Sequence, residues 1–243
     1  MAMSATPRLF VTADLQAGAA LALDEEPSHY LKRVLRLSDG APVRVFNGRD
    51  GEHASTLRDI GKRGVRLDVG ARLREMYAPP DLWLLFAPLK KTRTDFLVEK
   101  AVELGAARLV PVFTERADPQ RVRVDRLQRL AQEAAEQTER LDVPAVLEAL
   151  SLPRVLAAWD PARPLWFCDE AGDDDDRPWG GVAGRAPPAL EAMRGSSASA
   201  GVLIGPEGGF SAAERAWLLY TPVVADDSLG PGIVRARITT NAA

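Results

Sequence analysis

One loop constrains the fold of this chain more than any other segment: residues 205–211, which read Gly-Pro-Glu-Gly-Gly-Phe-Ser. The preceding residues 201–204 have the length and composition of a short buried strand. Ser211 and Glu214 have the spacing of a capping box, which predicts that a helix begins at Ser211. Three glycines allow another group to approach the backbone closely. We therefore predict a strand-to-helix loop that binds a ligand; an ordinary connector is the alternative interpretation.

The loop does not match the commonest patterns for binding nucleotides. A Walker-type loop requires Lys-Ser or Lys-Thr after its glycines, and Phe210 and Ser211 stand there instead. The segment also lacks the Gly-x-Gly-x-x-Gly pattern of dinucleotide-binding proteins. Neither a nucleoside triphosphate nor a dinucleotide is therefore the expected ligand.

Composition limits the class of protein. With 243 residues, of which 46% are hydrophobic, the chain can form two domains with separate cores. No apolar run approaches the roughly 20 residues of a membrane-spanning helix, and residues 1–7 lack the pattern of a signal peptide, so we expect a cytoplasmic protein. The single cysteine, Cys168, and the two histidines, His29 and His53, are too few to form a structural zinc site. We expect no metal, and we expect Cys168 to be a buried strand residue rather than a nucleophile.

Pro79 and Pro80 separate two differently patterned parts of the chain, which predicts one domain at residues 1–77 and another at residues 78–243. In the first, short alternating runs lie between glycine-containing turns, a pattern typical of a small β-barrel. In the second, apolar strands alternate with amphipathic helices, which predicts an α/β fold with a mostly parallel sheet and helices on both faces. We place its strands at residues 82–87, 108–113, 165–168, 201–204 and 222–225, and its helices at about 94–104, from 125 and from 211.

Charge is distributed unevenly along the chain. The formal net charge of −3 argues against a nucleic-acid-binding protein when taken alone. Between Leu31 and Arg74, however, eleven basic residues stand against five acidic ones, a local net charge of +6. A basic barrel is typical of an RNA-docking module, because its cations displace the counterions of the phosphate backbone. A soluble surface with scattered charges is the alternative.

Five segments occur in an order that is known from one protein family. They are residues 29–36 (HYLKRVLR), Lys90 and Arg93 before residues 99–105, residues 133–140 before Pro144, residues 205–209 (GPEGG) and residues 228–231 (SLGP). Over nearly its whole length the sequence thus resembles the RsmE-type methyltransferases, which modify N3 of uridine in 16S ribosomal RNA. GPEGG and SLGP are unusual enough to make the resemblance specific.

The resemblance implies an N-terminal PUA-like barrel and a C-terminal SPOUT domain whose chain forms a deep trefoil knot, a rare exception among folds. It also implies a homodimer that binds S-adenosylmethionine and acts on 16S rRNA of the small ribosomal subunit, with neither DNA nor a membrane as partner. The residues expected at the cofactor are Leu203, Ile204, Gly205, Gly208, Gly209, Leu229, Gly230 and Ile233. The residues expected at the RNA are Arg8, Lys32, Arg33, Arg36, Lys90 and Arg93.

The C-terminal segment departs from the family pattern. The family continues SLGP with Arg-Ile-Leu-Arg and then an acidic residue, whereas this chain has Gly232 in place of the first arginine and Arg237 in place of the acid. Arg235 retains the second arginine of that run.

Two residues are assigned to the chemistry of methyl transfer. Uridine N3 must lose its proton before it attacks a methyl group, and the resulting negative charge spreads to the neighbouring carbonyl oxygens. We expect Arg235 to stabilise that anion and Glu207 to accept the proton. A role for Glu207 as a partner of the helix dipole or as a brace of the loop is the alternative.

Two other functions remain open. A SPOUT enzyme that methylates the ribose 2′-oxygen would keep the glycine loops but would more often carry an arginine and an asparagine early in its catalytic domain. A non-catalytic RNA-binding or ribosome-assembly factor would share the basic barrel without needing the glycine loops.

We further expect dimerisation through the helix that begins at Ser211, with Trp217 as an anchor. The apolar surface of this helix exceeds what one buried face requires. Its apolar residues are Ala212, Ala213, Ala216, Trp217, Leu219 and Tyr220.

Overall fold

The computed structural model describes residues 6–59, 61, 64–117, 122–168, 199–220 and 233–236; of residues 219, 220 and 233–236 it describes the backbone. The chain divides into two compact units. The first comprises Met1–Ala78 and Gln132–Val143, and the second comprises Pro79–Ala131 and Pro144–Ala243. Residues 132–143, which the sequence pattern assigns to the second domain, thus group with the first unit.

The described part of the first unit contains a mixed five-stranded sheet in the order β1-β3-β4-β5-β2. The strands are β1 (Arg8–Phe10), β2 (Ala20–Ala22), β3 (Pro42–Phe46), β4 (Glu52–Asp59) and β5 (Val65–Arg74). β1 runs parallel to β3, and the other neighbours are antiparallel. Helix α1 (Glu25–His29) continues into a π-helical turn (Tyr30–Val34) whose Leu31 is fully buried against the sheet.

Alternation along the strands builds the core of this unit. Successive strand side chains point to opposite faces, so the aliphatic residues of β3, β4 and β5 collect on one face. The core residues are Leu9, Val11, Leu15, Leu31, Val43, Val45, Leu57, Val65, Leu67 and Val69. The β-rich first part of the chain is thus confirmed.

The second unit contains a parallel sheet in the order β12-β10-β11-β6-β7-β8, with β9 beside β7. Its strands are β6 (Asp81–Phe86), β7 (Arg108–Phe113), β8 (Ala145–Val146), β9 (Leu150–Ser151), β10 (Leu165–Cys168), β11 (Ser199–Ile204) and β12 (Ile233–Ala236). Its helices are α2 (Lys91–Glu103), α3 (Val124–Gln137, which ends in the first unit), α4 (Leu152–Ala157) and α5 (Ala212–Tyr220). Every pairing among these strands is parallel, which confirms the predicted α/β sheet.

Two details of the second unit differ from the predicted elements. Helix α2 begins three residues earlier than predicted, because the carbonyl oxygen of Lys90 already accepts the N–H groups of Arg93 and Thr94. The strand predicted at residues 222–225 lies outside the described residues, as do most of the residues expected to complete the knot.

Candidate functional site at the carboxyl edge of the parallel sheet

The loop after β11 joins the parallel sheet to α5, as predicted. The N–H of Glu214 donates to Ser211 Oγ at 3.2 Å, and the N–H of Ser211 donates to Glu214 Oε2 at 2.9 Å. This reciprocal pair is the predicted capping box. It satisfies an N–H group of the first helical turn that has no partner within the helix, and so fixes the point at which α5 begins.

The three glycines of this loop stand in different surroundings. A Cβ atom on Gly205 would lie 2.9 Å from Cε2 of Phe210, a ring that is buried in the core. Gly209 has a φ of +67°, which side chains rarely adopt. At Gly208, by contrast, a Cβ would meet only Arg116, at the ordinary contact distance of 3.6 Å. Neither packing nor backbone conformation therefore requires glycine at Gly208, which is exposed at the surface of the loop.

The loop after β7 holds the glycine loop through two hydrogen bonds. Arg116 Nη1 donates to the carbonyl oxygen of Gly208 at 2.9 Å. The N–H of Glu115 donates to Glu214 Oε1 at 2.8 Å. Glu214 is only 1% exposed, and both of its carboxylate oxygens accept backbone N–H groups. The two loops are thus fixed to each other at the edge of the sheet.

A cavity of about 240 Å³ lies beside the glycine loop. Its lining consists of Pro88, Leu89, Lys90, Arg116, Ala117, Pro206, Glu207 and Gly208. The loops after β6, β7 and β11 therefore all contribute to it. Ligands of open parallel sheets bind outside the carboxyl ends of the strands, and two cations in the lining suit a ligand that carries negative charge.

Glu207, which was assigned to proton transfer, forms an ion pair with Arg93 of α2. The two side chains are 50% and 65% exposed, so water screens the pair and it contributes little to stability. The contact matches the role of a brace, and the exposed carboxylate also remains accessible to a substrate. Lys90 is exposed as well, and its ammonium group has no partner among the described residues.

The residues expected at the cofactor do not all lie together. The side chain of Leu203 is fully buried in the core with Leu85 and Phe167, which leaves the backbone of Leu203 as the part that a cofactor can contact. Ile204 is partly exposed and points to the opposite face of the sheet, because side chains alternate along a strand. Gly205, Gly208 and Gly209 share the loop described above.

The remaining cofactor and catalytic candidates belong to β12 and the segment before it. The register places Arg235 level with Leu203 and places Ile233 level with Gly201. Ile233 is therefore about 13 Å along the strand direction from the level of Gly205, whereas Arg235 is nearer the carboxyl edge. Leu229 and Gly230 lie outside the described residues.

Arg8, an expected RNA-binding residue, lies inside the first unit. It is 8% exposed, and its Nε donates to Glu52 Oε1 at 2.5 Å. Its two Nη atoms donate to the carbonyl oxygens of Ala135, Glu136 and Arg140 at 2.6–3.0 Å. A cation is favourable there, because the end of a helix leaves carbonyl groups without partners. This corrects the expectation that Arg8 contacts RNA.

The other basic candidates of the first unit remain on its surface. Lys32 pairs with Asp59 at 2.7 Å, whereas the exposed Arg33 and Arg36 have no partner among the described residues. Arg36 also has a φ of +53°, and Arg33 lies in the π-helical turn. Such unusual backbone is often retained at functional positions, so this segment stays a candidate RNA contact.

Cys168 ends β10 and is partly buried. Burial raises the pKa of its thiol to about 11, so the thiolate is rare at neutral pH. This agrees with the expectation that Cys168 is not a nucleophile.

The described part of the chain shows neither a membrane-spanning helix nor a cluster of metal ligands. None of its helices is long and apolar enough to cross a membrane. No group of three or more His, Cys, Asp or Glu side chains in the same part of the chain could hold a metal ion.

Comparison with known proteins identifies the family. The family model described as an RNA methyltransferase domain matches residues 77–242, and the model described as an RNA methyltransferase PUA domain matches residues 23–70. The chain belongs to the RNA methyltransferase family. The resemblance found in the sequence is thereby confirmed, as is the combination of a PUA domain with an α/β domain.

Relatives of this RNA methyltransferase cover most of its length. A Rickettsia conorii protein named ribosomal RNA small subunit methyltransferase E is 27% identical over 95% of this chain and 90% of its own. A Bacillus subtilis protein of the same name is 24% identical over 92% and 87%. The crystal structure of the Neisseria gonorrhoeae protein of that name, bound to S-adenosylmethionine, shares the fold with a TM-score of 0.76 at 22% identity, over 98% of this chain and 91% of that one.

Proposed function

We propose that this RNA methyltransferase transfers a methyl group from S-adenosylmethionine to N3 of a uridine in the 16S rRNA of the small ribosomal subunit. The observation that carries the proposal is the glycine loop, which is held by Arg116 and Glu214 beside a cavity whose charged lining residues are Lys90, Arg116 and Glu207. The names of full-length relatives support the ribosomal substrate, and a relative's complex supports the cofactor. Such a substrate also agrees with a cytoplasmic location.

The glycine loop fits the proposed cofactor. Gly208 exposes backbone where a larger side chain would stand, and the neighbouring Ile204 offers a partly exposed apolar side chain. We assign the cofactor to the backbone of residues 205–209, to Ile204, and to Leu229 and Gly230. When bound, S-adenosylmethionine supplies an electrophilic methyl group on a sulfonium centre.

The cavity beside the loop suits the nucleotide that is methylated. Lys90 and Arg116 would bind its phosphate, and Glu207 lies at the same cavity, where it would accept the N3 proton. The ion pair with Arg93 would orient the carboxylate for this step. Arg235 would stabilise the negative charge on the base. Held in this way, N3 would approach the methyl group in line, and positioning would supply much of the rate.

We also propose that the protein acts as a homodimer through α5. Ala212, Ala213 and Trp217 lie on one exposed face of this helix, and Trp217 is 41% exposed. An exposed tryptophan beside small residues suits an interface core, because small residues allow another helix to approach closely.

The activity is tested by incubating purified full-length protein with S-adenosylmethionine and small ribosomal subunits or naked 16S rRNA. Nucleoside mass spectrometry is expected to detect 3-methyluridine. A 2′-O-methylated nucleoside would identify the alternative SPOUT activity, and RNA binding without methylation would identify a non-catalytic factor.

The role of Glu207 is tested with two variants that affect its ion pair differently. Glu207→Gln removes the proton acceptor, whereas Arg93→Ala removes only its partner. Loss of a general base lowers kcat by about a hundred-fold or more. If Glu207 only braces the loop, Arg93→Ala will lower kcat at least as much as Glu207→Gln, because the glutamine oxygen still accepts from Arg93.

A further inference from the structure

A second concave surface lies in the first unit, outside the residues assigned so far. It is an open concavity of about 440 Å³, within the range of roughly 300–1,000 Å³ that is common for small-molecule sites. Its lining consists of Leu15, Gln16, Ala17, Arg49, Asp50, His53 and Arg72. We call this surface the barrel cavity.

Hydrogen bonds hold one wall of the barrel cavity in place. Asp50 Oδ2 accepts the N–H of Leu15 at 2.9 Å and Nδ2 of Asn47 at 2.6 Å. Asn47 Oδ1 in turn accepts the N–H groups of Arg49 and Asp50 at 3.0 and 2.8 Å. The turn before β4 and the segment around Leu15 are therefore tied together, so this wall is formed before any ligand arrives.

His53 occupies an irregular position in the sheet. The register between β4 and β5 shifts on both sides of His53, which marks a β-bulge or a similar irregularity. Bulges redirect side chains and often lie beside binding sites. The His53 residue is 5% exposed, and its Nδ1 lies 3.2 Å from the carbonyl oxygen of Gly70. Because a carbonyl oxygen only accepts, this contact is a hydrogen bond when Nδ1 carries the proton, and in that tautomer Nε2 is an acceptor.

Two arginines supply positive charge at the barrel cavity. The side chains of Arg49 and Arg72 are 54% and 52% exposed. Their ion-pair partners, Asp14 and Glu75, are 93% and 82% exposed, so both pairs are weak and a phosphate group can compete for the guanidinium groups. The amide of Gln16 is also exposed and has no partner among the described residues.

We propose that the barrel cavity binds one unpaired nucleotide of the RNA substrate, separate from the nucleotide that is methylated. Arg49 and Arg72 bind its phosphate, and His53 and Gln16 hydrogen-bond to the edge of its base. Unpaired nucleotides are the class that fits, because proteins read RNA bases mainly where the bases are not in a helix. The inference rests on the proposed RNA substrate, and it gives the first unit a site that reads a base in addition to attracting phosphate.

The first experiment measures binding of single-stranded RNA by the full-length protein at several salt concentrations. The double variant Arg49→Ala/Arg72→Ala is expected to lose about ten-fold or more in affinity, with the slope of log affinity against log salt falling by about one, because one phosphate contact is lost. The matched control is Arg58→Ala/Arg66→Ala, which removes two arginines from the same sheet outside the cavity. Equal losses in the two double variants, or no loss in the first, would overturn the proposal.

The second experiment tests base recognition through the two histidines of the chain, His29 and His53. Their imidazole signals are assigned by NMR with a His29→Gln variant. Titration with the four nucleoside monophosphates is expected to shift the His53 signals, and Gln16→Ala is expected to weaken that response. Unmoved His53 signals would overturn the proposal.

The proposed function is assayed in the same preparations. If the wild-type protein methylates RNA and the cavity variants bind RNA as tightly as the wild type does, the proposal for the barrel cavity is overturned and the proposed function stands. Wild-type protein that neither binds nor methylates RNA would overturn both proposals.

Discussion

Arg116 donates a hydrogen bond to the carbonyl oxygen of Gly208 at 2.9 Å, and so joins the loop after β7 to the glycine loop after β11. Arg116 also lines the cavity that these loops share. One side chain therefore holds the loop assigned to the cofactor and presents a cation to the nucleotide proposed to bind beside it.

Arg116→Ala is expected to lower kcat/KM for RNA and to weaken cofactor binding, each by about ten-fold. The estimate follows from the roughly 1.5–3 kcal/mol that a hydrogen bond to a charged group contributes. Methyl transfer and isothermal titration calorimetry measure the two effects. Arg123→Ala is the control, because Arg123 is exposed and pairs with the nearby Asp125. Equal behaviour of the two variants would contradict the role of Arg116.

Substitution by alanine is expected to have different effects at two glycines of the loop. Gly205→Ala would place a Cβ 2.9 Å from the buried Phe210 ring, so the melting temperature of the protein should fall by several degrees. Gly208→Ala meets only Arg116 at 3.6 Å, so the protein should stay folded and lose cofactor affinity. Thermal unfolding and calorimetry separate these outcomes; unchanged cofactor affinity in Gly208→Ala would count against this loop as the cofactor site.

The parts of the candidate site that depend on neighbouring residues could be predicted from the sequence. The capping box and the glycine loop depend on residues that are close together in the chain. The strands of the parallel sheet are marked by apolar runs that are buried in the fold. Arg116 could not be identified in this way, because its contact with Gly208 depends on the order of strands in the sheet, and that order is set by packing.

The sequence also does not show which charged residues are buried. Arg8 has the pattern of a surface cation near the start of the chain, yet its partners include Glu52 and carbonyl groups more than 120 residues away. The same contacts explain why residues 132–143 group with the first unit. Nothing local to Arg8 indicates them.

The buried ion pair predicts how the first unit responds to acid. Burial of Glu52 opposes its ionisation, but hydrogen bonds from Arg8 and Arg74 outweigh burial and lower the pKa of the carboxyl below its ordinary 4.5. A lowered pKa in the folded state means that Glu52 stabilises the fold above the unfolded pKa and loses this effect as pH falls through the folded value. Stability should therefore decline below about pH 4.5.

Glu52→Gln separates this contribution from those of other carboxyl groups. At neutral pH the variant is expected to be less stable by about 3–5 kcal/mol, because Arg8 stays buried without its anion. Its further loss between about pH 7 and about pH 3.5 should be smaller than that of the wild type. Thermal unfolding at both pH values measures the difference; the same acid response in both proteins would contradict the role of Glu52.

Cys168 is expected to react slowly with iodoacetamide in the folded protein. Burial raises the pKa of the thiol to about 11, and the thiolate is the reactive form, so alkylation should be slow near neutral pH and should rise about ten-fold per pH unit below that value. Mass spectrometry of the intact protein follows the reaction, with urea-unfolded protein as the fast reference. Rapid alkylation of the folded protein near neutral pH would show that the thiol is more accessible than this structure indicates. Cys168→Ala should retain methyltransferase activity.

Trp217→Glu is expected to split the proposed dimer and to remove activity together with it. The reason is that a carboxylate would replace an aromatic side chain on the exposed face of α5, beside Ala212 and Ala213, where an interface would have to remove it from water. Phe96→Glu is the matched control, because Phe96 is 61% exposed on α2 of the same unit and should tolerate the same change. Sedimentation velocity at micromolar concentration measures the oligomeric state of both variants, and circular dichroism checks that they are folded. A wild-type monomer that still methylates RNA would rule out the dimer requirement, and dissociation of both variants would show that added charge, rather than the loss of Trp217, separates the subunits.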